Sequence, residues 1–130
     1  MADIPVGHEA EDREIVQSKH TAHEVGNPGV HVVSTPHLIG FLEMACHFGV
    51  EAFLEDGEST VGTMVNVEHL GAAPVGAELV AKTRVTAARH ARITFDVEAW
   101  WGDVLLMKGS HGRARIDLAR FLRKLPKADG

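Results

Sequence analysis

The chain has 130 residues, a single cysteine, a formal net charge of −5 and 45% hydrophobic residues. That is the length of one domain with one core, and no stretch reaches the ~20 clean apolar residues that a membrane-spanning helix needs. With only 5% aromatic residues and an acidic balance, it lacks the positive field and stacking side chains used to bind nucleic acid.

The charge is uneven along the chain. Residues 1–60 hold 11 acids and 2 bases, whereas residues 61–130 hold 7 acids and 11 bases. From Val104 to Lys127 the one acid, Asp117, stands against Lys108, Arg113, Arg115, Arg120, Arg123, Lys124 and Lys127. Such a run reads first as solvated strand and helix faces, and second as a basic surface for a phosphorylated ligand. The N-terminus carries acids where a secretory leader carries bases, so the expected location is the cytoplasm. The lone Cys46 agrees with this and excludes an internal disulfide framework.

In chain order, a strand is expected over Ala10–Gln17, followed by a His-rich irregular loop punctuated by Asn27, Pro28 and Gly29. A helix is expected from Pro36 to Leu54. Ser34 or Thr35 can cap it, and Pro36 fits its first turn because no helical partner is lost there. Its apolar residues, among them Leu38, Phe41, Leu42, Ala45 and Phe48, cover most of its circumference, which predicts burial on several sides. Alternating side chains then predict strands at Val61–His69, Glu78–Arg89, Arg92–Trp101 and Val104–Asp117, the last two joined by a short turn at 101–103. Trp100 and Trp101 must face opposite ways on a strand, one toward the core and the other toward a surface. Residues 117–125 suit a short amphipathic helix. No linker or repeat interrupts the chain, so residues 1–130 read as a single domain.

A long helix followed by four long antiparallel strands, with a fifth strand ahead of the helix, is the α+β order of a sheet wrapped around a helix. Other antiparallel α+β folds share it.

Several side chains could carry chemistry. Glu43 is a carboxylate in the middle of a largely apolar helix, where a buried charge calls for a partner or a proton. Thr35 stands at the helix start, where hydroxyl and backbone N–H groups favour negative charge. His69 ends a strand, and an imidazole there can give or take a proton near neutrality. Each also has a plainer reading, as a cap, an interface acid or a surface histidine. Nine histidines raise the question of a metal, but no HExxH spacing occurs on the helix and one cysteine makes no zinc set, so no metal is expected. Cys46, set among Met44, Ala45 and Phe48, reads as a small core residue rather than a nucleophile.

Three stretches carry a specific resemblance: TPHLIGFLE at 35–43, GTMVNVEHLGAAPVG at 62–76 and GSHGRARID at 109–117. In order and spacing, over about residues 24–123, they resemble the fluoroacetyl-CoA-thioesterase-like family of hot-dog thioesterases. The resemblance implies a hot-dog homodimer with its active site at the dimer interface, and a tetramer as the larger possible assembly. It places the catalytic roles on Thr35, Glu43 and His69. It also implies that Gly62 lies near the acyl group and Arg113 toward coenzyme A.

The fluoroacetyl-selective member carries a lid bearing a phenylalanine before the helix. Here residues 26–34 are shorter and hold no Phe, Tyr or Trp. The expected activity is therefore hydrolysis of a small or medium acyl-CoA thioester, with no cofactor beyond the coenzyme A of the substrate. A non-catalytic acyl-CoA or small-ligand binding protein is the alternative, and a hydratase on the same fold ranks third.

Overall fold

The computed structural model describes residues 3–128. Strand β1 (Glu9–Ile15) precedes a loop with two short 3-10 turns and then helix α1 (Thr35–Val50). Strands β2 (Glu58–His69), β3 (Glu78–Arg89), β4 (Arg92–Trp101) and β5 (Val104–Asp117) follow, and a short helix α2 (Leu118–Arg123) closes the order. All pairings are antiparallel, and the sheet order is β1-β3-β4-β5-β2, so β1 and β2 are the two edges. The sheet wraps α1, which touches β1, β2, β3 and β4. This is the hot-dog arrangement.

The core lies between α1 and the inward sheet face. Leu38, Phe41, Leu42, Ala45, Cys46 and Val50 fall at helical spacing and are buried. They meet Leu79, Ala81, Val85, Ile93, Phe95, Val97, Ala99, Leu106 and Met107. Each large side chain so buried contributes about 1.5–3 kcal/mol. At Gly49 the helix comes so close to β1 that an added Cβ would sit 2.8 Å from the Ala10 Cβ. Only glycine allows that approach.

Several boundaries differ from the pattern. α1 ends at Val50 and tightens into a 3-10 turn at Glu51–Phe53 instead of continuing to Leu54. β1 stops at Ile15, because the Gln17 N–H turns aside to donate to the His20 ring 2.9 Å away. β2 begins at Glu58, three residues early. α1 is also covered on fewer sides than its composition predicts: Met44 and Phe48, one turn apart, are 42% and 56% exposed.

The outward face explains much of the charge. Glu11, Lys82, Glu98, Lys108 and Glu68 stand opposite one another across all five strands, alternating in sign. Opposite charges on paired strands stabilise modestly and keep the face wet. Of the basic run, Arg113 and Arg115 are buried instead, Arg115 2.6 Å from the Glu58 carboxylate. The exposed bases that remain gather in α2 and the tail after it. Trp101 packs against the core, and Trp100 faces outward under Lys82.

Candidate active site

The start of α1 is organised by two neighbouring hydroxyls with different tasks. Ser34 is the N-cap, its Oγ accepting from the His37 N–H at 3.1 Å. With the cap supplied, Thr35 is free to point elsewhere, and its Oγ1 shares a 2.6 Å hydrogen bond with His69 Nδ1 at the end of β2. Both residues are exposed.

Glu43 lies two turns further along α1, its side chain one-third exposed. Its Oε2 is 3.5 Å from Arg113 Nη1 and 2.6 Å from where a Cβ on Gly62 would stand. The missing side chain at Gly62 is the space the carboxylate occupies. In β2 the ladder to β5 skips Thr63, pairing Gly62 with Arg113 and Met64 with Gly112. This bulge shifts the alternation, so Gly62 and His69, seven residues apart, both face α1.

Beneath Glu43 is a buried polar network. Arg113 donates from Nε to Thr60 Oγ1 and from Nη2 to the Thr60 carbonyl, both at 2.9 Å. Its Nη1 also lies 3.2 Å from His111 Nε2. Thr60 Oγ1 accepts from Arg113 and shares a 2.6 Å hydrogen bond with His47 Nδ1. His111 Nδ1 donates to the Met64 carbonyl at 2.8 Å. Burial first, and then the Arg113 charge, hold the His111 imidazole below its ordinary range against the pull of the Met64 carbonyl. His47 is lowered by the same two causes. Burial pushes the Cys46 thiol up to about 12, so it stays a protonated core group.

The fold thus joins Thr35 to His69, and Glu43 to Gly62 and Arg113. It does not join the two sets within one chain. Thr35 and Glu43 are eight residues apart on a helix, roughly 12 Å along its axis. Gly62 and His69 are roughly 20 Å apart along β2. Arg113 is turned inward to the carboxylate rather than toward the surface. Sequence reading missed His47, Thr60 and His111. The signal was there for His111, which shares a strand face with Arg113 two residues on.

A second histidine cluster lies at the base of α1. Glu14 bonds His37 and lies 3.6 Å from His20 Nδ1. By donor type these three could hold a cation. Their geometry opposes it: the His20 and His37 rings stack at 3.8 Å, 13° from parallel, so their in-plane lone pairs do not converge. The His20 Nδ1 lone pair is also taken by the Gln17 N–H. In the preceding loop His23 and His31 pack their rings together, while Val25 and Val30 are exposed. No helix among the described residues is long and apolar enough to cross a membrane.

Known proteins share this fold and parts of the sequence. The sequence pattern of the fluoroacetyl-CoA-specific thioesterase family, FlK, matches residues 16–119. The fluoroacetyl-CoA thioesterase of Streptantibioticus cattleyicolor is 31% identical over 94 residues, covering 72% of this chain and 68% of that protein. The crystal structure of the fluoroacetyl-CoA thioesterase FlK superposes with a TM-score of 0.85 at 26% identity, over 95% of this chain and 98% of that one. A thioesterase superfamily member from Thermus thermophilus superposes with a TM-score of 0.86 at 27% identity, over 95% of this chain and 91% of that one. By its residues, its fold and these matches, the chain belongs to the fluoroacetyl-CoA-specific thioesterase family of hot-dog proteins.

Proposed function

We propose that the protein is an acyl-CoA thioesterase whose active site is completed by a second copy of the chain. The observation that carries this is the Glu43 carboxylate, partly exposed in a gap that Gly62 leaves open and oriented from below by Arg113. A water held there loses a proton to Glu43 as its oxygen forms a bond to the thioester carbonyl carbon. The carbonyl oxygen becomes negative and is met by the Thr35 hydroxyl at the positive end of α1. As the C–S bond breaks, the sulfur takes the electron pair and a proton from His69. The products are a carboxylic acid and free coenzyme A, and the proton left on Glu43 passes through water to His69, which restores both groups. Arg113 acts as a positioning residue for Glu43, and the reaction draws on side chains alone.

The need for a second copy follows from the distances. β2 is a sheet edge with Met64 and Val65 exposed near its centre, 41% and 45%. Two such edges pairing antiparallel about a point between Val65 and Asn66 would bring Gly62 close to His69 of the partner subunit. That unites Glu43 of one copy with Thr35 and His69 of the other, and gives each dimer two sites. The same pairing would cover Met44 and Phe48. The edge and the open helix face therefore support a homodimer.

The acyl group is small or medium. The loop before α1 has no Phe, Tyr or Trp between residues 26 and 34 to close over a fluorinated acyl group, so fluoroacetyl preference is not expected here. A single, buried, protonated cysteine suits the reducing cytoplasm.

The test is thiol release from a panel of acyl-CoA thioesters by the wild type, Glu43→Gln and His69→Ala, each confirmed as a folded dimer. Clear hydrolysis that falls by at least ~10²-fold in both variants is the expected result. Ligand binding without thiol release would instead make it a binding protein, and a strong fluoroacetyl preference would overturn the assigned acyl class.

A further inference from the structure

The histidine beneath the site is joined to groups whose chemistry fixes its state. His111 Nδ1 lies 2.8 Å from the Met64 carbonyl. A carbonyl only accepts, so Nδ1 carries the hydrogen, and a neutral imidazole is left with Nε2 as an acceptor. Its neighbour at Nε2, 3.2 Å away, is Arg113 Nη1, which only donates. Donor and acceptor are matched along the whole line from Met64 through His111 and Arg113 to Glu43.

We infer that His111 is a positioning residue for thioester hydrolysis: as a neutral acceptor it fixes the Arg113 guanidinium beneath the Glu43 carboxylate. This rests on Glu43 acting as the base. His111 is 2% exposed and is closed in on every side. Phe95 of β4 packs on its ring, the Met64 carbonyl of β2 accepts from its Nδ1–H, and Arg113 lies beside it on β5. From α1, Glu43 acts on it directly, while Cys46 and His47 lie against Arg113, and Cys46 is uncharged. Arg113 has two further anchors on Thr60, but its Nη1 end, the one facing Glu43, has among the described residues only His111 as a second partner. Without that acceptor the planar guanidinium, held along its Nε–Nη2 edge alone, can tilt about that edge and carry Nη1 away from the carboxylate. A protonated His111 would be worse, because it would place a second cation with a facing N–H against the guanidinium.

Two substitutions separate the two ring nitrogens. In His111→Asn the amide stands near Nδ1, so the bond to Met64 can persist while Arg113 loses its acceptor. In His111→Gln the longer side chain carries an oxygen to where Nε2 stood. Expected for His111→Asn is a loss of about tenfold or more in kcat with little change in KM, as misplaced catalytic groups produce. His111→Gln should recover kcat to within about threefold of wild type and, having no group to titrate there, should hold kcat better on acidification. A role in packing alone would lower the melting temperature of both variants equally and leave kcat per folded dimer and its pH dependence unchanged. That result, or wild-type kcat in His111→Asn, overturns the inference. Nitrogen-15 NMR of the wild type reads the tautomer without any variant: an Nδ1–H imidazole is expected, and an Nε2–H imidazole refutes it. Glu43→Gln is the control. If it retains full turnover, the assignment of the base is what fails; if it is inactive while His111→Asn is not, only the role of His111 fails.

Discussion

Thr35 and His69 meet at the surface through one hydrogen bond between exposed side chains, whereas Glu43 is held from within by Arg113, itself gripped by Thr60 and His111. The buried half is preorganised in a single chain, because low exposure and saturated hydrogen bonding leave Arg113 few places to go. The exposed half has a defined partner but no cover. Catalytic groups need both geometry and exclusion of water, so in the proposed dimer the exposed half would gain most from the second copy, and the buried half would supply what that copy meets.

The largest effect expected from this contrast is rescue between inactive variants. Glu43→Gln and His69→Ala dimers, mixed and allowed to exchange subunits, should regain about a quarter of wild-type hydrolysis, since half the dimers become mixed and each then has one intact site. A site completed within one chain would show no rescue at all.

Next in size is Gly62→Ala. The new methyl would lie 2.6 Å from the carboxylate oxygen of Glu43, so Glu43 must swing away. Turnover should fall by about tenfold or more while the dimer remains folded. Wild-type turnover in this variant would mean that the seat of the carboxylate is unimportant, contrary to the mechanism.

The adjacent hydroxyls at the start of α1 sharpen the comparison. Ser34→Ala should cost about 1 kcal/mol of stability through the lost cap and leave the chemistry nearly intact. Thr35→Ala should do the opposite, lowering kcat with little change in melting temperature. If both variants lose stability alike, Thr35 is no more than part of the cap.

The smallest effect is on stability against pH. His20, His47 and His111 are all held below their ordinary range, with burial the largest cause in each. Below about pH 6.5 the unfolded chain binds protons that the native state refuses, so stability falls as pH drops through that value toward the lowered native ones. Above it these three residues contribute no slope. The melting temperature should therefore be lower at about pH 5.5 than at about pH 7.5, and His111→Gln should reduce the difference. Equal values at the two pH settings would contradict the buried neutral state.

What was legible in the sequence is what is local. The bounds of β3, β4 and β5 match the sequence pattern, most clearly in β4, where burial alternates residue by residue over most of the strand. The order of elements and the family's spacing singled out Thr35, Glu43 and His69. Tertiary structure decided the rest. Arg113 sits in a run of bases that reads as surface, yet it turns inward because a carboxylate 70 residues away in sequence stands across from it. Ser34 caps α1 locally, but the partner that the freed Thr35 hydroxyl finds depends on His69 arriving at the end of β2. The bulge at Thr63, which turns Gly62 and His69 to the same face, is a property of pairing with β5, and the uncovered Met44 and Phe48 show only in the assembled fold. Periodicity records which way a side chain points, but hydrogen-bond partners, tautomers and cover are set by segments distant in sequence, so they appear only once the chain has folded.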